Sequence, residues 1–141
     1  MNTKDKGSVS ETMAVAAFTA KGFQVSIPVG ENTRYDLIVD IDGALYKVQV
    51  KTGTLNKDGS SFKFNTRSTY HSFNGDIVCK NYVGDIDSFA VYVPQIKRLY
   101  FLSINDVLAV TACTLRLKAS KNNQKSGILN ASDFEFYVFG R

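Results

Sequence analysis

Apolar and polar positions alternate most regularly between Tyr35 and Thr52, in the stretch YDLIVDIDGALYKVQVKT. The first arm, Tyr35 to Ile41, is rich in β-branched residues, and the second, Leu45 to Lys51, alternates polar with apolar. Between them, Asp42-Gly43 suits a two-residue type I′ turn, whose central residues both need positive φ. That turn sets Ile41 against Ala44 and brings Asp36 opposite Gln49. Directly opposed side chains hold their Cβ atoms about 4.5–5.5 Å apart. Lys51, two residues on from Gln49, shares its face. A carboxylate, an amide oxygen and an ammonium thus converge at the open end of the hairpin. The same pattern also describes a half-solvated hairpin with a polar outer face.

Around this hairpin the chain divides into further elements. Lys6 to Lys21 has helical period, with Met13, Ala17 and Ala20, or Val9, Met13, Ala16 and Ala20, as its apolar stripe. Ser8 at the N-cap and Glu11 three residues later have capping-box spacing, and Lys21-Gly22 is a stop signal. Glu11 therefore has a structural role available beside any chemical one. Phe23 to Ile27 alternates as a strand and ends at Pro28. Ser61 to Thr66 alternates again, with Phe62 and Phe64 on one face and Lys63 and Asn65 on the other, Arg67 following at the same parity as Lys63. Ser68 to Asp87 is the least regular stretch and reads as a long loop holding Tyr70, His71, Phe73 and Tyr82. Ser88–Val93 and Arg98–Ser103 predict a second hairpin. A short helix over Asp106–Val110, a strand over Thr114–Lys118, a polar loop over Ala119–Gly127 and a last strand over Asp133–Phe139 complete the chain. This order predicts an α/β or α+β domain, a mixed central β-sheet flanked by helices.

Composition narrows the class. At 141 residues the chain has the size of one domain spanning 1–141. No apolar run approaches the roughly 20 residues that cross a bilayer, and the N-terminus lacks the apolar core of a secretory signal. Cys79 and Cys113 are far apart and there is one histidine, His71, so a zinc site is not expected and a reducing cytoplasm is. The bland reading of both thiols is buried or half-buried. A net charge of +4 is compatible with a polyanion partner without requiring one.

Taken together, Glu11 on a helix, Asp36, twelve intervening residues and Gln49-Val50-Lys51 resemble the PD-(D/E)XK nuclease superfamily. The flanks GSVSE before the helix, GFQVSIPVG, YDLIV, VQVKT and DIDSFAVYVP resemble its small members carried in group I introns, closest to the cyanobacterial homing endonucleases. The resemblance covers roughly residues 6 to 125. Most of the superfamily has a carboxylate where this chain has Gln49, and the intron-encoded group shares the Gln variant. The resemblance implies a restriction-endonuclease-like core and a site-specific, Mg²⁺-dependent DNA endonuclease, with Mn²⁺ as substitute. Asp36 is then the central metal ligand, the Val50 carbonyl a further one, and Glu11 the ligand of a second ion or of a water. Gln49 ligates or orients, and Lys51 faces the scissile phosphate. The catalytic set is Glu11, Asp36, Gln49 and Lys51.

A DNA-reading ribbon and loops are expected over about 54–82. Lys57, Lys63, Asn65, Arg67, Tyr70 and His71 are its candidate DNA contacts, since Arg to guanine and Asn to adenine are common pairings. Arg116, Lys118, Lys121 and Lys125 form a second basic stretch. A domain of this size is about 37 Å across and covers about 11 bp of duplex at ~3.4 Å each. A long pseudo-palindromic double-stranded target therefore implies a symmetric homo-oligomer. The resemblance implies a tetramer, with Tyr92 and Tyr100 available to the assembly if they are not in the core. A restriction-type enzyme or a Holliday-junction-resolving nuclease satisfies the same residues, as does a non-catalytic DNA-binding module in which Gln49 marks an eroded site.

Overall fold

The computed structural model describes residues 1–30, 32–107, 111–118 and 129–140. Helix α1 (Thr3–Ala20) opens the chain, capped by Asn2, whose side chain accepts the Asp5 N–H at 2.9 Å. The expected start at Lys6, with a capping box from Ser8 to Glu11, is not found. Ser8 lies inside the helix, where its hydroxyl donates to the Lys4 carbonyl at 3.2 Å. Asn is at least as good an N-cap as Ser, and each residue added ahead of Ser8 gains a helical hydrogen bond once the helix is nucleated. The buried stripe also differs, running through Ser10, Ala14, Ala17 and Phe18. Met13 is half-buried, and Val9, Ala16 and Ala20 are exposed. Phe18 has the largest apolar surface in the helix, so it sets the phase. The end is as expected, with Lys21 at the C-cap and Gly22 at φ 88°.

Three antiparallel strands follow, β1 (Gln24–Ser26), β2 (Leu37–Ile41) and β3 (Ala44–Thr52). Asp42 and Gly43 sit at φ 53° and 89°, as a type I′ turn requires. The register runs from Ile41↔Ala44 to Leu37↔Val48, the one dictated by that turn. The remaining strands are β4 (Thr54–Leu55), β5 (Ser61–Asn65), β6 (Arg67–His71), β7 (Ile77–Asn81), β8 (Ser88–Val93), β9 (Arg98–Ser103), β10 (Ala112–Arg116), β11 (Leu129–Asn130) and β12 (Glu135–Val138).

Six strands make one mixed sheet in the order β1-β2-β3-β8-β9-β12, with β3 and β8 parallel. Strand β8 is buried at every position, as a central strand covered on both faces must be. One face packs Leu37, Val39, Val48 and Ala90 beneath Ala14, Ala17 and Phe18 of α1. The other face, through Phe89, Val91 and Leu102, packs on Phe62, Phe64 and Leu115 of a second sheet ordered β11-β10-β5-β4. The expected mixed sheet is thus present; among the described residues, α1 covers one face and a second sheet rather than a helix covers the other. Tyr92 and Tyr100 are buried in these cores and offer no surface for assembly.

The stretch expected as a long loop, Ser68 to Asp87, contains the β6–β7 hairpin. Ser68, Thr69, Lys80 and Asn81 give it no apolar face, so hydrophobic periodicity does not mark it. In place of the helix over Asp106–Val110, Ser103 caps a short 3-10 turn at Ile104–Asp106, and residues 108–110 lie outside the described ones. Cys113 is buried, which pushes its thiol up to about 11, whereas Cys79 is exposed rather than half-buried. Among the described residues, no helix is long and apolar enough to cross a membrane.

Gly53 joins the two sheets. It donates its N–H to the Tyr92 carbonyl at 2.8 Å while the chain leaves β3 for β4. A Cβ there would lie 2.8 Å from Val93 Cγ2 and 3.1 Å from both Phe62 and Val91. Gly53→Ala is therefore expected to destabilise the fold by about 1–3 kcal/mol, the usual range for overpacking, in urea unfolding. In the same assay Asn2→Ala should cost about 1 kcal/mol and Ser8→Ala less than about 0.5 kcal/mol.

Candidate active site

The antiparallel ladder between β2 and β3 ends at Leu37↔Val48. One residue beyond it, Asp36 takes over the pairing in two ways. Its N–H donates to the Val48 carbonyl at 2.9 Å, and its carboxylate accepts the Val50 N–H at 2.9 Å. Asp36 thus brackets Gln49, bonded to the residue before it and the residue after it. Strand alternation sends Val48 and Val50 towards α1 and Gln49 and Lys51 to the opposite face. The Gln49 amide nitrogen lies 3.4 Å from the Val50 carbonyl oxygen, so these two groups are neighbours at the strand.

Lys51 reaches away from the ladder towards the β6–β7 hairpin. Its ammonium donates to the Tyr82 hydroxyl at 3.1 Å and to the Arg67 carbonyl at 3.5 Å. It also lies 4.9 Å from the centre of the Tyr82 ring.

Glu11 comes to this place from the other side of the sheet. Ser10, 1 % exposed, hydrogen-bonds Thr52 hydroxyl to hydroxyl at 2.6 Å. That bond joins the residue before Glu11 to the residue after Lys51. The Glu11 side chain is largely open to solvent, yet partial burial and then the Asp36 charge raise its pKa. The Asp36 pKa is also raised, by burial, against the opposing pull of the Val50 N–H and the Lys51 ammonium. Among the described residues neither carboxylate enters an ion pair. No cluster of three or more His, Cys, Asp or Glu is present among them either. The donors gathered here are two carboxylates, a side-chain amide and a backbone carbonyl, all of them oxygen donors. Such a set suits a hard divalent cation that keeps several of its waters.

The proposed DNA contacts divide between two surfaces. Lys63 and Asn65 are exposed as the alternation requires, but β5 is not part of a two-stranded ribbon. It pairs with β10 and β4, Lys63 lying opposite both Thr114 and Thr54. Lys57 is exposed beside this sheet and, with Lys63 and Thr114, borders a shallow cleft of about 380 Å³ whose lining includes no residue of the Asp36 site. Arg67 belongs to β6 and is not a continuation of β5. Its guanidinium donates to the Thr111 hydroxyl. His71 is exposed at the end of β6. The Tyr70 side chain, Lys121 and Lys125 lie outside the described residues. Arg116 is half-buried and Lys118 exposed.

Three contributors were not singled out from the sequence. The Ser10–Thr52 pair could have been found from Ser10, which stands four and eight residues before Ala14 and Phe18 in one helical stripe. Tyr82 and Arg34 carried no local signal, because their partners are remote in sequence. The Arg34 guanidinium lies 4.2 Å from the Tyr82 ring centre and bonds Asp85 at 3.1 Å.

Among curated proteins none matches this chain. Among solved structures, a bacterial homing endonuclease, I-Ssp6803I, superposes with a TM-score of 0.75 at 25% identity, over 96% of this chain and 89% of that one. The family model for the PD-(D/E)XK endonucleases matches residues 1–137. With the fold and nearly the whole sequence in agreement, the chain belongs to the PD-(D/E)XK endonuclease family.

Proposed function

We propose that this endonuclease is a site-specific homing enzyme, one that hydrolyses phosphodiester bonds of double-stranded DNA with Mg²⁺ and so promotes mobility of a group I intron. Residues 1–141 would act as one nuclease domain, working in the cytoplasm. The observation that carries the reading is the placement of Asp36 astride Gln49 at the open end of β2 and β3, with Val50 and Lys51 beside it. The name of the structural neighbour, a bacterial homing endonuclease, supports the narrower class.

In this reading Asp36 and the Val50 carbonyl would hold the cation, Gln49 would ligate it or orient one of its waters, and Glu11 would hold a second ion or a water from α1. Two partly buried carboxylates, both with raised pKa values and neither with an ion-pair partner among the described residues, fit a site whose compensating charge is a cation. A divalent ion bound there supplies Lewis acidity to the phosphate and lowers the pKa of an attacking water, and Mn²⁺ substitutes for Mg²⁺. Gln49 orients without adding charge. Lys51 sets a positive charge beside the oxygens of the pentacoordinate, phosphorane-like transition state, where negative charge accumulates. The outer face of the second sheet, with Lys57, Lys63 and Asn65, serves as one DNA surface. The β6–β7 hairpin, with Arg67, Tyr70 and His71, serves as another, and a basic surface facing phosphates implies salt-sensitive binding. A long pseudo-palindromic target is read by a homo-oligomer, which we take to be a tetramer.

The reading is tested by digesting DNA that carries the intronless form of the host gene, with Mg²⁺, and sequencing the ends. A single defined cut is expected; scattered or absent cuts on this duplex, with cleavage of a four-way junction, would place the enzyme among resolvases instead. On the cognate duplex, Asp36→Asn and Lys51→Ala should each slow cleavage by about 100-fold or more while DNA binding persists. Equal cleavage by Asp36→Asn and wild type would overturn the assignment.

The raised Asp36 pKa gives a second, independent check. A carboxyl whose folded pKa exceeds its unfolded value contributes stability that is lost as pH rises through the folded pKa. Ionising Asp36 in the metal-free protein therefore leaves a charge that burial opposes. Asp36→Asn keeps an acceptor for the Val50 N–H and removes that charge, so its metal-free Tm should be higher, by about 3 °C per kcal/mol relieved. Added Mg²⁺ should raise the wild-type Tm and leave that of the variant unchanged.

A further inference from the structure

The Lys51 ammonium is held by a residue outside the family motif. An ammonium has three N–H donors and no acceptor. One of these meets the Tyr82 hydroxyl at 3.1 Å, and a second points to the Arg67 carbonyl at 3.5 Å. One donor is left for a ligand oxygen. A lysine side chain otherwise rotates freely about four carbons, so the two protein acceptors fix where that last N–H points.

Tyr82 is well placed to act as a rigid mount. It is 4 % exposed and packs edge-on against Phe89 of the central strand, ring centres 5.6 Å apart. Its carbonyl accepts the Asp85 and Ile86 N–H groups at 2.9 and 3.3 Å. Arg34, in the loop ahead of β2, lies 4.2 Å from the ring centre. The same guanidinium pairs with Asp85 at 3.1 Å and donates to the Ser68 hydroxyl. It also donates to the carbonyls of Lys80 and Asn81, at 3.3 and 2.7 Å. Ser68 belongs to β6, and Lys80 and Asn81 to β7. The root of the β6–β7 hairpin, the Tyr82 ring and the Lys51 ammonium therefore form one connected unit.

We propose that Tyr82 is the positioning residue of Lys51, and that Arg34 ties this position to the root of the β6–β7 hairpin. The role rests on the nuclease reading, since it acts through Lys51 upon the scissile phosphate. Tyr82 touches no reacting atom. Its hydroxyl restricts the ammonium to the orientation in which the remaining N–H meets a phosphate oxygen. Binding of the duplex does not need that restriction, but the rate of cleavage does, because a small misplacement of a charge that acts in the transition state is costly.

The test compares Tyr82→Phe with wild type on the cognate duplex. Single-turnover rates are taken at saturating protein in Mg²⁺, and affinities in Ca²⁺. Thermal unfolding is followed alongside. Tyr82→Phe should lower the rate about tenfold or more, since misplacement acts on the reaction step. Its Kd should stay within about twofold of wild type, since no binding contact is removed. A second arm replaces Tyr82 with 3-fluorotyrosine, which keeps the ring and hydroxyl but weakens the oxygen as an acceptor; its rate should fall between the other two. Equal rates for wild type and both variants overturn the role, and so does a rate loss matched by the same loss in affinity. If Tyr82→Phe fails to fold, the fluorinated protein decides alone, a wild-type rate overturning the role. A wild-type protein that cuts no duplex in Mg²⁺ overturns the nuclease reading and this role with it, whereas a wild type that cuts no faster than Tyr82→Phe overturns this role only.

Discussion

The hydrogen bond from the Val50 N–H to the Asp36 carboxylate, at 2.9 Å, is the contact on which the rest of the site depends. A backbone N–H inside a fold must find an acceptor. Where β2 stops at Leu37, no carbonyl of that strand continues the ladder, and a side chain takes its place. The consequence is geometric. A carboxylate that completes a ladder is fixed to the strand as firmly as the strand is fixed to the sheet. Val48, Val50 and the fully buried β8 make β3 one of the least mobile parts of the molecule. Gln49 and Lys51 inherit that rigidity by alternation. The candidate site is mounted on a central strand rather than on a loop.

The second fixed relation is between layers. Glu11 sits on a helix, and nothing within a helix determines where it lies relative to a sheet. The Ser10–Thr52 bond, at 2.6 Å and made by a buried Ser10, supplies the missing registration. Phe18 sets the rotation of the helix and Ser10 its height on the sheet. On the far side, Gly53 lets β3 turn into the second sheet with Val91, Val93 and Phe62 closed around it, and a side chain would force them apart. Three short-range constraints at Ser10, Asp36 and Gly53 therefore locate the candidate site within about one turn of hairpin and helix.

The portion legible in the sequence is the portion fixed locally. Asp42-Gly43 allowed one turn type, and the turn allowed one register, so the relation of Asp36 to Gln49 and Lys51 followed from neighbours alone. The paired strands β8 and β9 were legible for the same reason, as apolar runs with a Pro94 break. The capping box at Ser8 failed because two acceptors competed for the helix start, and Asn2 won by lengthening the helix. The β6–β7 hairpin was missed because neither of its faces is apolar, so no alternation of hydrophobicity exists to be seen. Arg67 was placed on the wrong strand because Asn65 and Arg67 share parity, although the chain leaves one strand for another at Thr66. Tyr82 and Arg34 act through partners 31 and 51 residues away, and no local pattern encodes such distances.

Gln49 is where the local and the electrostatic arguments meet. Burial raises the cost of ionising Asp36, and burial and then the Asp36 charge raise that of Glu11. A third carboxylate about 4 Å from Asp36 would add a repulsion on the order of 4 kcal/mol at an effective dielectric of 20, before any cation arrives. An amide offers an oxygen of similar reach without that repulsion. The gain is less repulsion in the metal-free protein, and the loss, in the proposed metal site, would be one unit of negative charge with which to hold an ion. An ammonium cannot replace that ligand charge, so the role proposed for Lys51 is a separate one, toward negative charge on the phosphate. The Lys51 ammonium is held by two protein acceptors and not left to swing. The amide at Gln49 and the fixed Lys51 thus act on different charges, the one limiting repulsion around Asp36 and the other, in the proposed reaction, facing the phosphate.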